Sequence, residues 1–290
     1  MANVGRIEGT LQNYGTSAEV EIGGAKWSLF REHSEFEIRC FVDNNDHVLW
    51  SCTARGDLTV WGPYMEEQFL VWSDSFDYGN AFDGCDSSDF LSIRKPVEKV
   101  SFKGEITVIK IRRIDLSSPT NEAIESPEDA ACIEVEGMKL WVSKKVLSFH
   151  SPFFKALFSD DFKEKATESC ALKEVKINEF KRFLSVLYNI DITIKHEDDV
   201  EELLRLGDMW QCDAVLRFCR FTLSLESIHI RLDTKIGLCD RYGFWPLLRK
   251  TIENADLEEL KRFVKKGYCV HLSLSSFGRS LIENRLADSR

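Results

Sequence analysis

The hydrophobic period of this chain changes once, and that change limits what it can fold into. Up to about Ile114, apolar residues alternate with polar ones. In "AEVEIGGAKWSLF" Val20, Ile22, Trp27 and Leu29 fall on a period of two, interrupted by Gly23-Gly24. "FEIRCFV" repeats the pattern with Phe36, Ile38 and Cys40, and "EITVIKIRRI" closes it with Ile106, Val108 and Ile111 beside charged partners. A period of two places apolar side chains on one face of a strand. Short runs of this kind, separated by Gly, Asp and Asn, predict an all-β sandwich over 1–114, with Trp27 and Trp50 in its core.

Residues 115–130, "DLSSPTNEAIESPEDA", are polar and acidic, with two Ser-Pro steps and no periodic apolar face. Such composition reads as a linker, placed at 115–128. Beyond it the pattern becomes helical. "ACIEVEGMKLWVS" is a hairpin around Glu136-Gly137. Ser151-Pro152 is a helix start, since Ser caps and Pro suits the first helical position. Phe180, Phe183, Leu184, Leu187 and Tyr188 make one apolar helix face, with Asn178 as the expected cap. "ALKEVKI" and "DITI" (191–194) read as strands, and "DDVEELLRLGDMW" and "CDAVLRFCRFTLS" as helices. The result is an α+β domain over 129–224. A helical extension over 225–290 follows. It is interrupted at Gly243 and Pro246, and its last clear helix runs from a capping Asp256 to a terminating Gly267.

Composition narrows the partners. The formal net charge is −10, which does not suit a phosphate backbone or an anionic membrane. No stretch approaches the ~20 apolar residues of a spanning helix, and the N-terminus lacks the apolar core of a signal peptide. The nine cysteines then read as small buried hydrophobes in a reducing compartment, cytoplasmic or nuclear. No cofactor, metal site or catalytic set is expected. The histidines are scattered and there is no Cys-x-x-Cys or phosphate-cradling glycine loop. Cys212 and Cys219 are two turns apart on one helix face, hence core. Ser151 beside His150 is explained by capping. The acidic "EDDVEEL" suits a solvated helix start.

The segments "VSKKVLS", "HSPFFKALF", "DFKEK", "LKEVKINEFKRFLSVLY" and "LLRLGDMWQCDAVLRFC" together resemble a BTB/POZ domain spanning roughly 129–224. In that fold a hairpin feeds a helical hairpin. Phe153, Phe154, Leu157 and Phe158 lie at helical spacing, and most of them are expected in the core. Family members that recruit a cullin scaffold carry a hydrophobic-x-Glu signature after the second helix. Phe162-Lys163-Glu164 stands there, which implies Phe162 as an anchor filling an apolar pocket and Glu164 as a rim acceptor. Many relatives have Ala-His-Lys before the first helix, where this chain has Val142-Ser143-Lys144. "GGAKWSLF", "FEIRCFV", "HVLWSCTA" and "GEITVIKI" resemble a MATH (TRAF-like) domain, which in this pairing binds substrate peptides. The family's aromatic-Gly-aromatic groove turn is met only by Tyr78-Gly79-Asn80, so Tyr78 is the one groove residue implied.

The resemblance implies a multi-domain adaptor of a cullin-RING ubiquitin ligase. It would catalyse nothing, dimerise through its BTB domain and hold a target protein through its N-terminal domain. The alternative is a BTB interaction scaffold that binds no cullin.

Overall fold

Two glycine-containing turns set the registers of this molecule. Ile22 pairs with Ala25 and Val135 pairs with Met138, so each hairpin closes through two residues. Gly23, Gly24, Glu136 and Gly137 all have positive φ, between 49° and 88°. Two positive φ values in a two-residue loop match the right-handed twist of the flanking strands. The computed structural model describes residues 3–33, 35–62, 69–79, 98–159, 170–190, 192, 194, 197–225, 230–267 and 273–287, with the backbone alone at 35 and 69–78.

The N-terminal region has eight described strands: β1 (Val4–Gln12), β2 (Tyr14–Thr16), β3 (Val20–Ile22), β4 (Ala25–Glu32), β5 (Glu35–Phe41), β6 (Val48–Trp61), β7 (Phe69–Gly79) and β8 (Lys99–Asp115). One sheet runs β1-β8-β6-β7. The other runs β2-β4-β3, with β5 pairing β4. Alternation decides the inner faces, as the sequence predicts. Trp27, Leu29, Phe36, Ile38, Cys40, Trp50 and Ile106 are buried in one core fed by both sheets, and Ile111 packs against it half-buried. Ile109 is the exception, at 55% exposure. Thr53 pairs with Lys110 and Ala54 with Val108, so Ile109 is the extra residue of a β-bulge and is turned outward.

Arg31 is buried in this half. Its guanidinium donates to the carbonyls of His33 (2.8 Å) and Leu11 (3.3 Å) and to Asn13 Oδ1 (2.9 Å). Burial lowers its pKa. The bonds tie the β1–β2 and β4–β5 turns together, which satisfies donors that water can no longer reach.

The stretch expected as a linker is packed rather than loose. Leu116 is fully buried. Its N–H donates to His47 O (2.9 Å) and its carbonyl accepts from Trp141 N–H (2.8 Å). The Asn121 amide donates to Ser118 O (2.9 Å) and Trp141 O (3.0 Å). Arg112 of β8 donates to the Asn189 carbonyl.

The central strands are β9 (Ala130–Val135), β10 (Met138–Ser143) and β11 (Cys170–Leu172), in the order β10-β9-β11, with β11 parallel to β9. β11 stops at Leu172, short of the predicted end at Ile177. Glu174 adopts φ 61° and turns the chain toward a helix. Ile192 and Ile194, the described residues of the second predicted strand, stand outside any strand. The helices are α1 (Lys144–His150), α2 (Pro152–Leu157), α3 (Ile177–Leu187), α4 (Glu197–Met209), α5 (Asp213–Ser224), α6 (Leu232–Arg241), α7 (Trp245–Asn254), α8 (Leu257–Lys265) and α9 (Ser276–Ala287).

Helix ends follow local chemistry. The predicted apolar face of α3 is buried, but its cap is not Asn178. The helix begins two residues earlier, after Lys176. Glu136 Oε2 accepts from Ile177 N–H (2.8 Å) and Glu179 Oε2 from Lys176 N–H (3.3 Å), so two carboxylates serve the first turn. Asp256 Oδ1 caps α8 by accepting from Glu259 N–H (2.9 Å), and Gly267 at φ 75° ends it. Gly243 at φ 69° and Pro246 at the start of α7 separate α6 from α7, as the sequence indicates.

The described chain divides into two compact units. One is Met1–Leu147 with Phe158–Thr193, and the other is Ser148–Leu157 with Ile194–Arg290.

The two turns differ in a testable way. A Cβ at Gly137 would meet nothing within 4 Å, so Gly137→Ala carries only the left-handed backbone cost, about 1–2 kcal/mol. A Cβ at Gly23 would fall 2.7 Å from Val108 Cβ. Gly23→Ala is therefore the more destabilising change, read as the larger drop in denaturation midpoint.

Candidate protein-interaction surface

The start of the helical hairpin depends on a buried carboxylate. Asp129 sits in a 3-10 turn (Pro127–Asp129) just before β9. Its Oδ2 accepts from the Ser143 hydroxyl (2.7 Å) and from Glu125 N–H (3.4 Å). Its Oδ1 accepts from Lys145 N–H (2.8 Å). Ser143 Oγ accepts in turn from Val146 N–H (3.1 Å), and Ser143 N–H donates to the Tyr188 hydroxyl (3.1 Å). The orphan amides of the first turn of α1 are thus served by two side chains from outside the helix. Burial opposes ionisation of Asp129, but its hydrogen bonds with Lys145, Ser143 and Glu125 outweigh that and hold its pKa below the ordinary value. Burial pushes the Tyr188 phenol up to about 12. Ser143 serves here as a small bridging hydroxyl.

Ser151 caps α2, as its sequence predicts. Its oxygen accepts from Phe154 N–H (3.3 Å) and its hydroxyl donates to Trp210 O (2.6 Å). Phe154 is fully buried, with its ring 5.0 Å from that of Trp210. The expectation that most of the four apolar residues are core fails, since Leu157 and Phe158 are only half-buried and Phe153 faces outward. Phe153 is 39% exposed and stacks on Trp210 at 6.2 Å with an interplanar angle of 20°. Pro152 and Phe153 fall on the outer side of a helix of six residues, too short to turn both phenylalanines inward.

Other large apolar residues of this unit also face outward, the most exposed being Phe149 at 83%, Phe221 at 62% and Met209 at 47%. Phe149 meets the His150 ring edge-on at 4.9 Å. Burial and then the Arg217 charge lower the His150 pKa. Phe221 lies one turn beyond Arg217 on the exposed face of α5. Exposed aromatic residues rimmed by a histidine and an arginine have the composition of a protein interface rather than of an enzyme cleft. Sequence periodicity misses this face, because it identifies the apolar side of a helix and says little of apolar residues on the polar side.

The residues expected to bind partners fall mostly beyond this description. Phe162 and Glu164 lie outside the described residues. Tyr78 pairs by backbone with Cys52 near the end of β7, and its side chain lies outside the description.

The described thiols are mostly buried. Six of the seven described cysteines, Cys40, Cys52, Cys132, Cys212, Cys219 and Cys239, are buried. Burial raises the pKa of Cys212 and pushes Cys219 and Cys239 up to about 12. Among the described residues no group of three His, Cys, Asp or Glu could hold a metal ion, and no helix is long and apolar enough to cross a membrane.

Asp129→Asn gives a direct check of the buried network. A depressed carboxylate pKa contributes stability above the unfolded value, near pH 4, and that contribution is lost as pH falls through the folded value. The variant is expected to lose about 1–3 kcal/mol at pH 7. The deficit should shrink by pH 3, as followed by chemical denaturation at both pH values.

Residues 129–227 match the family model of the BTB/POZ domain. BTB and MATH domain-containing protein 38 of Caenorhabditis elegans is 33% identical over 244 residues, covering 76% of this chain and 60% of that protein. BTB and MATH domain-containing protein 45 of Caenorhabditis elegans is 25% identical over 233 residues, covering 72% of this chain and 47% of that one. Kelch repeat and BTB domain-containing protein 4 of Homo sapiens is 26% identical over 87 residues, covering 30% of this chain and 16% of that one. The chain thus spans between about half and three fifths of the length of the two nematode proteins. It carries a BTB/POZ domain between a strand-rich N-terminal region and C-terminal helices, and it is similar over about three quarters of its length to nematode BTB and MATH domain-containing proteins.

Proposed function

We propose that the chain is a non-catalytic adaptor that joins a protein substrate to a cullin-type scaffold and dimerises through its BTB/POZ domain. The BTB/POZ match over 129–227, between a strand-rich region and a run of helices, is the observation that carries this reading. The exposed aromatic side chains Phe149, Phe153 and Phe221 support a surface made for protein contact.

In this reading Phe162 is the anchor for the cullin and Glu164 its polar neighbour. The N-terminal sandwich holds the target, with Tyr78 in the groove. The adaptor works by effective concentration, holding a substrate near the ubiquitin carrier, and two substrate sites in a dimer strengthen weak contacts. The cytoplasm or nucleus is where such a partner would be met.

Direct binding to the N-terminal part of the cullin called cullin three, at physiological salt, tests the proposal. Phe162→Ala is expected to cost ~2 kcal/mol or more, about thirtyfold in affinity, with fold and dimer intact. An unchanged affinity would remove Phe162 from its role. A folded dimer that binds no cullin at tens of micromolar would leave the scaffold reading in its place.

A further inference from the structure

The helices beyond the BTB/POZ match enclose a groove of about 580 Å³, lined by the end of α5 and by α6, α7 and α8. We propose that this groove receives an acidic segment of a partner protein. The inference is independent of cullin binding.

Charge carries the argument. Lys235 comes from α6, Lys250 from α7, and Arg262 and Lys266 from α8 and its C-cap, so cations converge on the groove from three helices. Arg231 also lines it, but is matched within the protein by Glu197 and Asp233, each at 3.3 Å. Glu259 is the one lining carboxylate besides Asp233. Lys235, Lys250 and Arg262 have no carboxylate within ion-pair distance among the described residues. Like charges gathered around a concave surface repel one another and focus a field into it, which a bound counter-charge relieves. A chain of net charge −10 that sets five cations against two carboxylates there presents a local charge opposite to its overall charge.

Shape distinguishes a peptide from a small anion. Leu232 and Leu247, both half-buried, line the same space with the buried Phe263, and the leucines offer aliphatic surface beside the cations. The volume lies within the range of sites that bury a drug-sized ligand, larger than a lone inorganic anion needs. On α7 Leu247, Lys250 and Asn254 share one face, and on α8 Glu259, Arg262, Phe263 and Lys266 do. Each wall therefore sets a cation beside an apolar residue, with Asn254 and the Glu259 carboxylate on the same faces. A segment that mixes Glu or Asp with Leu-like side chains matches both. The net negative charge of the chain disfavours nucleic acid as the occupant.

The probe is a fluorescein-labelled octapeptide of alternating Glu and Leu, titrated with the full chain by anisotropy, beside the Gln/Leu peptide of the same length. The Glu/Leu peptide is expected to bind about tenfold or more tightly than its neutral counterpart, and to weaken severalfold when salt is raised enough to shorten the screening length. The double variant Lys250→Glu/Arg262→Glu should lower affinity by about tenfold or more while its thermal unfolding stays that of the parent. Lys235→Gln/Lys250→Gln gives the same reading with neutral substitutions, should the reversal perturb folding. Equal binding of the two peptides, no measurable binding of either, or full affinity in both double variants overturns the proposal. Displacement of the peptide by oligothymidylate at lower concentration than by unlabelled peptide overturns it in favour of nucleic acid.

Discussion

The buried Asp129 carboxylate is the group on which the entry to the helical hairpin depends. It stands before β9 yet serves the first turn of α1, across the two strands between them. A helix of seven residues cannot hold itself together by propagation alone. Its first turn is supplied from outside, by one carboxylate and one hydroxyl that are themselves hydrogen-bonded. Burying a charge is costly unless it is so satisfied, and the lowered pKa of Asp129 reports that the satisfaction exceeds the burial penalty. Ser143 suits the place because a hydroxyl can accept from Val146 N–H and donate to Asp129 at once.

The second unit separates aromatic residues by role. Phe154 and Trp210 are buried and hold α2 to the segment after α4, helped by the Ser151 hydroxyl on the Trp210 carbonyl. Phe149, Phe153 and Phe221 are spent on the surface. Leaving large apolar area in water forgoes roughly 25 cal/mol per Å². A surface that forgoes it repeatedly is one shaped for contact with something else, consistent with a domain class met in interaction proteins.

Much of the framework is legible in the sequence, for physical reasons. Period-two alternation marks Trp27, Phe36, Ile38 and Ile106 as inward, because pleating leaves no other option for a half-buried strand. Glu136-Gly137 marks a hairpin, because few residues tolerate consecutive positive φ, whereas Gly23-Gly24 reads only as a break in the period although it closes a hairpin too. Other features depend on contacts distant in sequence. Asn178 is a sound cap by residue type, but Glu136, 41 positions before Ile177, reaches the helix start instead. β11 ends early because Glu174 turns, which no apolar pattern announces. "DLSSPTNEAIESPEDA" reads as loose because its packing uses backbone amides, Asn121 and one buried leucine, none of which makes a period. The basic groove likewise joins cations more than thirty positions apart, from Lys235 to Lys266, that form no cluster in the linear chain.

The Leu116 amide has a mechanical consequence. A flexible tether of fourteen residues would let its ends wander over roughly 20 Å. Here one residue is bonded through its N–H to the loop before β6 and through its carbonyl to β10. The stretch between the sandwich and the BTB strands therefore has almost no slack. Any object gripped by the sandwich inherits a fixed bearing on those strands, set by bond lengths rather than by polymer statistics. Its reach is that of a bracket, with a narrow field of positions, and not that of a leash.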